Sequence, residues 1–589
     1  MMKRITLGAA LVMAACAPIP PTADEAPAST VTALELTLMP VHDDAAGEFV
    51  SLGVSMTFDN LAVAPGEPVL RLPLVTSNVD TVATVLTDLR VRDSAGAVML
   101  SAADLDQPVT SAGDAVAGGE SREWYADRPL QGPVTVTYSV PAHASLPPRG
   151  PAPPFSFSND GLGVSGAGHI FLLLPPEAGP FDTQIRWDMS AAPAGTVGVT
   201  SLGGGDVHPE QPLEARELRM GFYMAGAIQT WPDPLPSSGF FGALQGNPPF
   251  DGQDLLAWTG ELYGHYEVFF GQTDAPPYGV FLRENPVNAG GGVGLHRSFV
   301  TTFGQERGND PEAIKLTLAH EMFHTFQPFL SEPGGLESSW FSEGLASFYQ
   351  SRLPLRYGMT SPERVLEDIN FHAGRYYTSI MADAPNSLVP ERFWADTRIR
   401  TLPYDRGMLY FATVDHAVRT RSDGARSLDD LMLAMLDRSQ AEGGASNADW
   451  EAVLQAELGP EAVSDFRAVL EGARPLPAPD AFGPCFTRTQ RPMRRYELGF
   501  DTAVLAEPVR IVRGLEAGSA AEAAGLRNGD RILQPVPQDH LQGSQDMTLT
   551  LEIARGDETL TLTYLPRGET VQAWQWERIE GVPDSACAL

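Results

Sequence analysis

Residues 311–330 read PEAIKLTLAHEMFHTFQPFL and contain two histidines four positions apart, with a glutamate directly after the first. Apolar residues recur through this segment at helical spacing, and the Asn-Asp-Pro sequence at 309–311 is a helix start signal. The segment therefore predicts a helix. A four-residue step along a helix places His320 and His324 on one face. Whatever fold the chain adopts must present these two imidazoles together.

Two imidazoles on one helix face can hold a single metal ion, and imidazole nitrogens suit zinc. A catalytic zinc site takes three protein ligands and keeps a fourth position open. The downstream segment WFSEG supplies Glu343 as the third ligand. Glu337 is the alternative, but it lies in a Gly-rich stretch before the next predicted helix. The sequence thus predicts one zinc ion per chain, bound by His320, His324 and Glu343.

A second glutamate has a different predicted role. Glu321 follows His320 directly, so its carboxylate faces the open metal position and can accept a proton from water without binding the ion. We therefore expect a zinc-dependent peptidase with Glu321 as general base and peptides or proteins as substrates. The alternative from another class is a non-catalytic peptide-binding lipoprotein with a vestigial metal site.

Acidic residues outnumber basic residues, with 74 Asp and Glu against 40 Lys and Arg and a formal net charge of -34. A chain with this charge repels nucleic-acid phosphates and anionic lipid surfaces. We therefore expect no nucleic-acid partner. Contact with a membrane is expected only through a lipid anchor at the N-terminus.

The N-terminal sequence MMKRITLGAALVMAAC has the form of a bacterial export signal, with two basic residues before a short apolar run that ends in small residues. VMAAC resembles a lipobox, in which the cysteine, here Cys16, is lipidated, although Met13 stands where Leu is usual. We expect a lipid-anchored protein of the bacterial cell envelope, facing the periplasm or the outside. The alternative is an ordinary cleaved signal with an incidental cysteine.

Two further cysteines, Cys485 and Cys587, flank the last predicted domain. In an oxidising compartment they can form one disulfide bond, which would tie the two ends of that domain together. The alternative is two unpaired thiols.

The chain is too long for one compact domain, and its patterning changes along its length. Short Val, Thr and Leu runs broken by turn residues predict a β-sandwich-like N-terminal domain. Helical periods dominate the middle, and strand patterns return at the end. The predicted fold is multidomain α+β. Its expected parts are a signal peptide at 1–16, a flexible tether at 17–30, a β-rich domain at 31–215, a catalytic domain at 216–475, a linker at 476–495, a C-terminal domain at 496–570 and a tail at 571–589.

Several motifs resemble, in this order, the glycyl aminopeptidase family of gluzincin metallopeptidases: HEMFH, WFSEGLASFY, PYDRGMLYFATVDHAVR and SLDDLMLAML. The resemblance covers about residues 31–570. It implies a β-rich N-terminal domain, a mostly helical thermolysin-like catalytic domain and a C-terminal PDZ domain. It also implies that Tyr404 hydrogen-bonds the oxyanion of the tetrahedral intermediate.

The chain departs from this family at one segment. The family carries Gly-Gly-Leu-Glu-His upstream of the metal helix, whereas residues 292–296 read GVGLH, with Leu295 at the glutamate position. In related aminopeptidases that glutamate helps to bind the free amino group of the substrate. The expected activity is therefore aminopeptidase-like by family, with altered recognition of the substrate N-terminus. An endopeptidase with the same mechanism is the alternative.

The C-terminal domain carries a second resemblance. Glu497, Leu498, Gly499 and Phe500 resemble the carboxylate-binding loop of PDZ domains, and the following GLEAGSAAEAAGLRNGDRIL fits the strand, short helix and Gly-Asp turn of that fold. We expect this domain to bind a peptide from the substrate or from a partner protein.

Overall fold

The structure of the protein is a computed structural model. It describes residues 31–76, 79–107, 119–142, 153–176, 179–236, 238–272, 277–285, 289–306, 308–393, 395–507, 509–534, 536 and 538–587. The predicted signal peptide and tether, including Cys16, lie outside the described residues. Within the described part, residues 31–321 and 322–587 form two compact units.

The first unit is built mainly from strands. They are β1 (Thr32–Asp43), β2 (Glu48–Phe58), β3 (Leu70–Pro73), β4 (Val75–Thr76), β5 (Val79–Asp80), β6 (Thr87–Asp93), β7 (Gly96–Val98), β8 (Leu100–Gln107), β9 (Gly119–Ala126), β10 (Val134–Pro141), β11 (Ser158–Asn159), β12 (Gly163–Ala167), β13 (Phe181–Trp187), β14 (Val197–Thr200), β15 (Gly203–Gly204), β16 (Phe222–Gly226), β17 (Ile228–Trp231), β18 (Phe240–Gln245), β19 (Tyr278–Glu284), β20 (Gly292–Leu295) and β21 (Ser298–Phe303). The α-helices are α1 (Gly168–Phe171), α2 (Ala215–Arg219), α3 (Gly252–Phe270) and α4 (Pro311–Phe326), with 3-10 turns at Val82–Thr84 and Met189–Ala191. The boundary between the units falls within α4.

The N-terminal sheet has six strands in the order β13-β1-β2-β10-β6-β7. A three-stranded sheet in the order β3-β9-β8 is formed by strands that lie between β2 and β10 along the chain. Alternation of apolar and polar residues explains the main strands. In β1, Leu34, Leu36 and Leu38 are buried while the residues between them are more exposed. Because side chains on a strand alternate between its two faces, this pattern directs one face of the sheet into the core.

Two five-stranded sheets follow, in the orders β11-β12-β16-β14-β15 and β17-β18-β19-β21-β20. In the second sheet β18, β19 and β21 are parallel, and β17 and β20 are antiparallel edge strands. Helix α3 makes the crossover from β18 to β19. It is capped by the side chain of Asp251 at its start and ends at Gly271, which adopts a left-handed conformation. Helix α4, which carries the HEMFH sequence, is the next element along the chain after β21.

The second unit is mostly helical in its first part and mixed at its end. Its helices after α4 are α5 (Ser339–Arg356), α6 (Pro362–Thr378), α7 (Val389–Arg392), α8 (Thr397–Arg400), α9 (Leu402–Arg421), α10 (Leu428–Glu442), α11 (Asn447–Glu457), α12 (Pro460–Leu470), α13 (Ala520–Ala523) and α14 (Gln538–Gly543). Its strands are β22 (Leu330–Glu332), β23 (Ala445–Ser446), β24 (Phe486–Tyr496), β25 (Arg510–Ile511), β26 (Arg531–Ile532), β27 (Leu549–Arg555), β28 (Glu558–Tyr564) and β29 (Arg567–Arg578). The 3-10 turns are Gly335–Ser338, Asn386–Leu388, Thr502–Ala506 and Asp584–Ala586.

The C-terminal region contains an antiparallel sheet in the order β25-β26-β27-β28 and a separate antiparallel ribbon of β24 and β29. The sheet has its own hydrophobic core, which includes Leu498, Phe500, Leu551 and Ile553. None of the helices in the described ranges is long and apolar enough to cross a membrane.

The ribbon corrects two of the sequence-based boundaries. The sequence predicts a linker at 476–495 and a tail from 571, but β24 and β29 occupy large parts of both ranges. The ribbon is held by a partner that is distant in sequence: the side chain of Asn370 in α6 accepts the backbone N–H of Trp576 at 2.7 Å and donates to its carbonyl oxygen at 2.8 Å. Trp576 is fully buried. The Arg-rich sequence of β24 contains no sign of this contact.

Candidate metal centre

The helix predicted around HEMFH forms as α4, and it carries His320 and His324 one turn apart. Glu343 lies in the second turn of α5. One ligand atom from each of these three side chains can be chosen so that all lie within 4.8 Å of one another. Two helices that follow each other along the chain thus bring two imidazoles and a carboxylate together.

The donor set fits zinc. Ligands about 2.0–2.1 Å from a tetrahedral ion lie about 3.3–3.4 Å from each other. His324 Nε2 and Glu343 Oε2 are 3.3 Å apart, which matches this spacing. His320 and Glu343 are buried, with 7% and 8% exposure, so the polar donors are held in a largely dry environment where a cation would compensate the carboxylate charge.

The alternative third ligand lies elsewhere. Glu337 belongs to the 3-10 turn Gly335–Ser338, and within the described residues it is not part of the group that could hold a metal. Its backbone carbonyl accepts a hydrogen bond from the side-chain amide of Asn386 at 2.6 Å. The geometry therefore selects Glu343 from the two carboxylates that the sequence offers.

The segment that departs from the glycyl aminopeptidase pattern forms the edge strand β20. Leu295 is 2% exposed and belongs to the hydrophobic core of the first unit, together with Val293 and Val300. Gly292 lies beneath the ring of Phe299, where an added Cβ would come within 2.2 Å of the ring. Leu295, which the resemblance aligns with the family's glutamate, is thus an uncharged core residue.

Solved structures identify the fold, whereas no protein-family model and no curated protein matches the chain. A crystal structure of an aminopeptidase N family protein from Idiomarina loihiensis is similar with a TM-score of 0.62 and 16% sequence identity, covering 92% of this chain and 98% of that chain. The chain shares its fold with that protein. The mixed α+β, multidomain architecture predicted from the sequence agrees with this fold.

Two more distant structures also resemble the chain. An M1 zinc metallopeptidase from Deinococcus radiodurans has a TM-score of 0.43 and 16% identity, covering 76% of this chain and 95% of that chain. Native leukotriene A4 hydrolase from Saccharomyces cerevisiae has a TM-score of 0.41 and 13% identity, covering 76% of this chain and 68% of that chain.

One residue at the centre is absent from the sequence-based assignment. Gln327 is buried, three positions after His324, and its side-chain amide lies 2.7 Å from His324 Nδ1. Its backbone N–H donates to the carbonyl of Phe323 at 3.1 Å, which extends the last turn of α4. The spacing of three residues on a helix is the signal that could have identified it, because such residues share a face.

Tyr404 lies half-buried in the first turn of α9, and the residue after it anchors that turn. Asp405 accepts hydrogen bonds from the Arg375 guanidinium at 2.6 and 2.7 Å and lies 2.7 Å from His372 Nδ1. Burial alone would lower the pKa of Arg375, but the carboxylate of Asp405 outweighs that effect and raises the pKa above its ordinary value. Arg375 therefore stays charged, and its ion pair fixes α6 to the start of α9.

A second ion pair holds the short helix just before Tyr404. Arg400 of α8 donates to both carboxylate oxygens of Asp539 in α14, at 2.7 and 3.1 Å, and the Thr397 hydroxyl also donates to Asp539. Gln542 of α14 donates to the Thr401 hydroxyl at 3.3 Å. Partial burial raises the pKa of Asp539, but attraction to Arg400 and the hydrogen bonds from Arg400 and Thr397 outweigh this effect and leave that pKa below its ordinary value. The C-terminal region is thus bonded to the segment that leads into α9.

The four loop residues that resemble a PDZ carboxylate-binding loop lie between β24 and the 3-10 turn Thr502–Ala506. Gly499 has φ +85°, and an added Cβ would come 2.8 Å from Ala521, so this position requires glycine. The carbonyl of Leu498 accepts from the Tyr564 hydroxyl at 2.8 Å. Leu498 and Phe500 are core residues, and Glu497 is half-buried.

Cys485 and Cys587 form a disulfide bond. Cys485 immediately precedes β24, and Cys587 follows the 3-10 turn Asp584–Ala586. The bond therefore joins the two ends of the C-terminal region.

Proposed function

We propose that this protein is a zinc-dependent peptidase that uses one zinc ion per chain. The observation that carries the proposal is the convergence of His320, His324 and Glu343, with ligand atoms within 4.8 Å of one another, beside a glutamate on the same helix. Two imidazoles and one carboxylate are the ligands of a hydrolytic zinc site, and an adjacent carboxylate that does not bind the ion can act as its general base. The fold shared with an aminopeptidase N family protein is compatible with this chemistry.

The residues divide the work of hydrolysis between them. His320, His324 and Glu343 hold the ion, which when bound acts as a Lewis acid toward the scissile carbonyl and makes water a better nucleophile. Glu321, half-buried and next to His320, accepts the proton of the attacking water and delivers it to the leaving amine. Tyr404 donates its phenolic hydrogen to the oxygen of the carbonyl as negative charge develops there.

Recognition of the substrate N-terminus is the altered feature of this site. By family resemblance the activity is aminopeptidase-like, and a glutamate in the β20 segment would bind the free amino group. Leu295 at that position is uncharged and packed in the core. We infer that the enzyme does not depend on a glutamate at this position to bind the substrate's free amino group. It can therefore accept peptides whose N-terminus is blocked or extended.

The first experiment combines metal content with turnover. Purified protein is expected to contain about one zinc per chain and to hydrolyse peptides, to lose activity on chelation and to regain it with added zinc. Glu321→Gln should keep the zinc and lose turnover by about a hundredfold or more, because general-base catalysis contributes about that much. Glu337→Gln is the matched control and should behave like the wild type. Full activity in the Glu321→Gln variant would refute the mechanism.

A second experiment compares one peptide series with free and with acetylated N-termini. An enzyme without the glutamate anchor should cleave both forms with similar kcat/KM. Strict dependence on a free amino group would show that another group binds the amine and would place the protein with ordinary aminopeptidases.

We further propose that the C-terminal domain is a PDZ domain of the kind found in the glycyl aminopeptidase family. Its support is the glycine-dependent loop around Gly499 and the edge strand β25, which contains the exposed Ile511 and directly follows the exposed Val509. An extended peptide would add to β25 as a strand, with its carboxylate at the loop. Peptides with a free C-terminus should bind more tightly than their amidated forms in fluorescence anisotropy, and Ile511→Asp should weaken binding. Equal binding of the amidated peptides would contradict the proposal.

We also propose that the protein is exported to the bacterial cell envelope and anchored through lipidated Cys16. The basic residues, the apolar run and the VMAAC sequence support this location. In cell fractionation, wild-type protein should be found with membranes and Cys16→Ser should be released from them. Membrane association that is unchanged in the variant would exclude the anchor.

A further inference from the structure

Gln327 is placed to control which nitrogen of His324 binds the metal. His324 Nε2 is the ring nitrogen that faces the cluster, 3.3 Å from Glu343 Oε2. The other ring nitrogen, Nδ1, lies 2.7 Å from the side-chain amide of Gln327. Gln327 itself is 4% exposed, so bulk water does not compete for this contact. The imidazole is thus held between a metal ligand on one side and a buried amide on the other.

The chemistry of imidazole gives this contact a consequence. A neutral histidine carries one hydrogen, and it binds a metal through the ring nitrogen that lacks it. For Nε2 to bind zinc, Nδ1 must carry the hydrogen and needs an acceptor. The amide oxygen of Gln327 can be that acceptor, and a half-turn about the last side-chain bond exchanges the positions of the amide oxygen and nitrogen.

The surroundings of Gln327 leave its oxygen available. Oε1 is buried and has no hydrogen-bond partner among the described residues. The carboxamide therefore offers a donor or an acceptor to Nδ1 according to its orientation, and only the acceptor orientation suits metal binding. Hydrogen bonds of this kind fix the ring orientation and raise the basicity of the ligand nitrogen.

We propose that Gln327 is a positioning residue of the metal centre: its amide oxygen accepts the Nδ1–H of His324 and so presents Nε2 to zinc. This inference rests on the metal site of the proposed function. It predicts that side chains at position 327 that can accept a hydrogen bond support zinc binding, whereas apolar side chains of similar size do not.

The test measures zinc affinity of the full chain by competition with a chromophoric chelator, independently of hydrolysis. Gln327→Leu should weaken zinc binding by about 10–100-fold, the usual loss when such a hydrogen bond is removed. Gln327→Glu retains the acceptor and should bind zinc within about threefold of the wild type or more tightly. With cobalt in place of zinc, visible absorption of the bound ion should show the same weaker binding in Gln327→Leu than in Gln327→Glu.

Gln350 provides a matched control. It is buried in the same unit, lies 3.3 Å from His372 Nε2 and donates to Asp368 at 2.7 Å, but His372 does not belong to the metal cluster. Gln350→Leu should lower the unfolding temperature and leave zinc affinity unchanged.

The possible outcomes are distinct. Zinc affinity of Gln327→Leu equal to that of the wild type would overturn the inference, as would equal losses in Gln327→Leu and Gln327→Glu, which would show a packing role. Wild-type protein that binds zinc but hydrolyses no peptide would refute the proposed function and leave the role of Gln327 intact. Wild-type protein that binds no zinc would overturn both.

Discussion

Gly344 of α5 and Gly407 of α9 meet backbone to backbone where the two helices cross. A Cβ added to Gly407 would lie 2.6 Å from the Cα of Gly344, and a Cβ added to Gly344 would lie 2.7 Å from the Cα of Gly407. Only glycine at both positions allows this approach. The contact sets the position of Glu343, which immediately precedes Gly344, relative to Tyr404, which lies one turn before Gly407.

Alanine at either glycine should therefore disturb the metal centre. Gly344→Ala or Gly407→Ala must push the helices apart, and overpacking of this kind costs about 1–3 kcal/mol of stability. Because Glu343 moves with α5, zinc affinity should fall as well. Urea unfolding and zinc titration measure the two effects.

Gly264 in the middle of α3 is the control for this pair. An added Cβ there meets nothing within 4 Å, so Gly264→Ala should be neutral or stabilise the protein by about 0.5–1 kcal/mol. If Gly344→Ala were as stable as Gly264→Ala, the close approach of α5 and α9 would not be a constraint on the fold.

The ion pair between Arg400 and Asp539 should support catalysis from outside the metal cluster. Its Arg400 side chain is 13% exposed, so removal of the carboxylate leaves a mostly buried charge without its partner. Asp539→Ala should cost roughly 1–3 kcal/mol, since the Asp539 side chain is itself 44% exposed and part of the pair is screened by solvent. Because the pair holds the segment before Tyr404, kcat should fall while zinc affinity remains unchanged.

Glu577, paired with Arg491 at 3.5 Å on the surface of the same C-terminal region, is the comparison. Glu577→Ala removes an exposed ion pair and should change stability and kcat little. Equal kcat values for Asp539→Ala and wild type would show that α14 does not position the start of α9.

The sequence predicts those parts of the site that depend on local periodicity. The i, i+4 spacing of His320 and His324 requires only a helix, and the helix is marked by its start signal and apolar pattern. Glu343 could be named because few carboxylates follow at a suitable distance. Gln327 also shares the helix face, but its role depends on burial of the amide, which a sequence pattern does not reveal.

Features set by contacts between distant segments could not be predicted. The Gly344–Gly407 crossing needs the relative position of two helices, and neither glycine is part of a turn signal. The β24–β29 ribbon depends on Asn370 in α6, so its Arg-rich strand resembles a linker in the sequence. The sequence shows that residue 295 is an uncharged leucine, but its burial in the core depends on how β20 packs against distant segments.

The disulfide between Cys485 and Cys587 should make the C-terminal region sensitive to reductant. The two cysteines are 102 residues apart in sequence, so the bond restricts a long loop in the unfolded chain. Replacing both cysteines by alanine should lower stability by about 2–4 kcal/mol. In thermal unfolding, reductant should lower the transition of the wild type and leave that of the double variant unchanged. A wild-type transition that is insensitive to reductant after complete reduction would contradict a stabilising role.

Buried His169 should make the first unit less stable in mild acid. It is 1% exposed in α1, its Nδ1 lies 3.2 Å from the carbonyl of Arg219, and its ring packs edge-on against Phe155. Burial is the main cause that lowers the pKa of His169 from an ordinary value of 6.5 to about 4, and the charge of the nearby Arg219 guanidinium contributes to the same shift. Between these two pH values the unfolded chain binds a proton that the folded protein does not.

Stability should therefore be complete above about pH 6.5 and fall as the pH drops toward about 4. Between about pH 7.5 and pH 5 this one group accounts for a loss of about 2 kcal/mol. His169→Gln keeps an N–H donor for the Arg219 carbonyl but does not titrate, so its urea-unfolding free energy should fall by about 2 kcal/mol less than that of the wild type over this interval. If both proteins lost the same free energy, His169 would have to be protonated in the folded state or exposed to water.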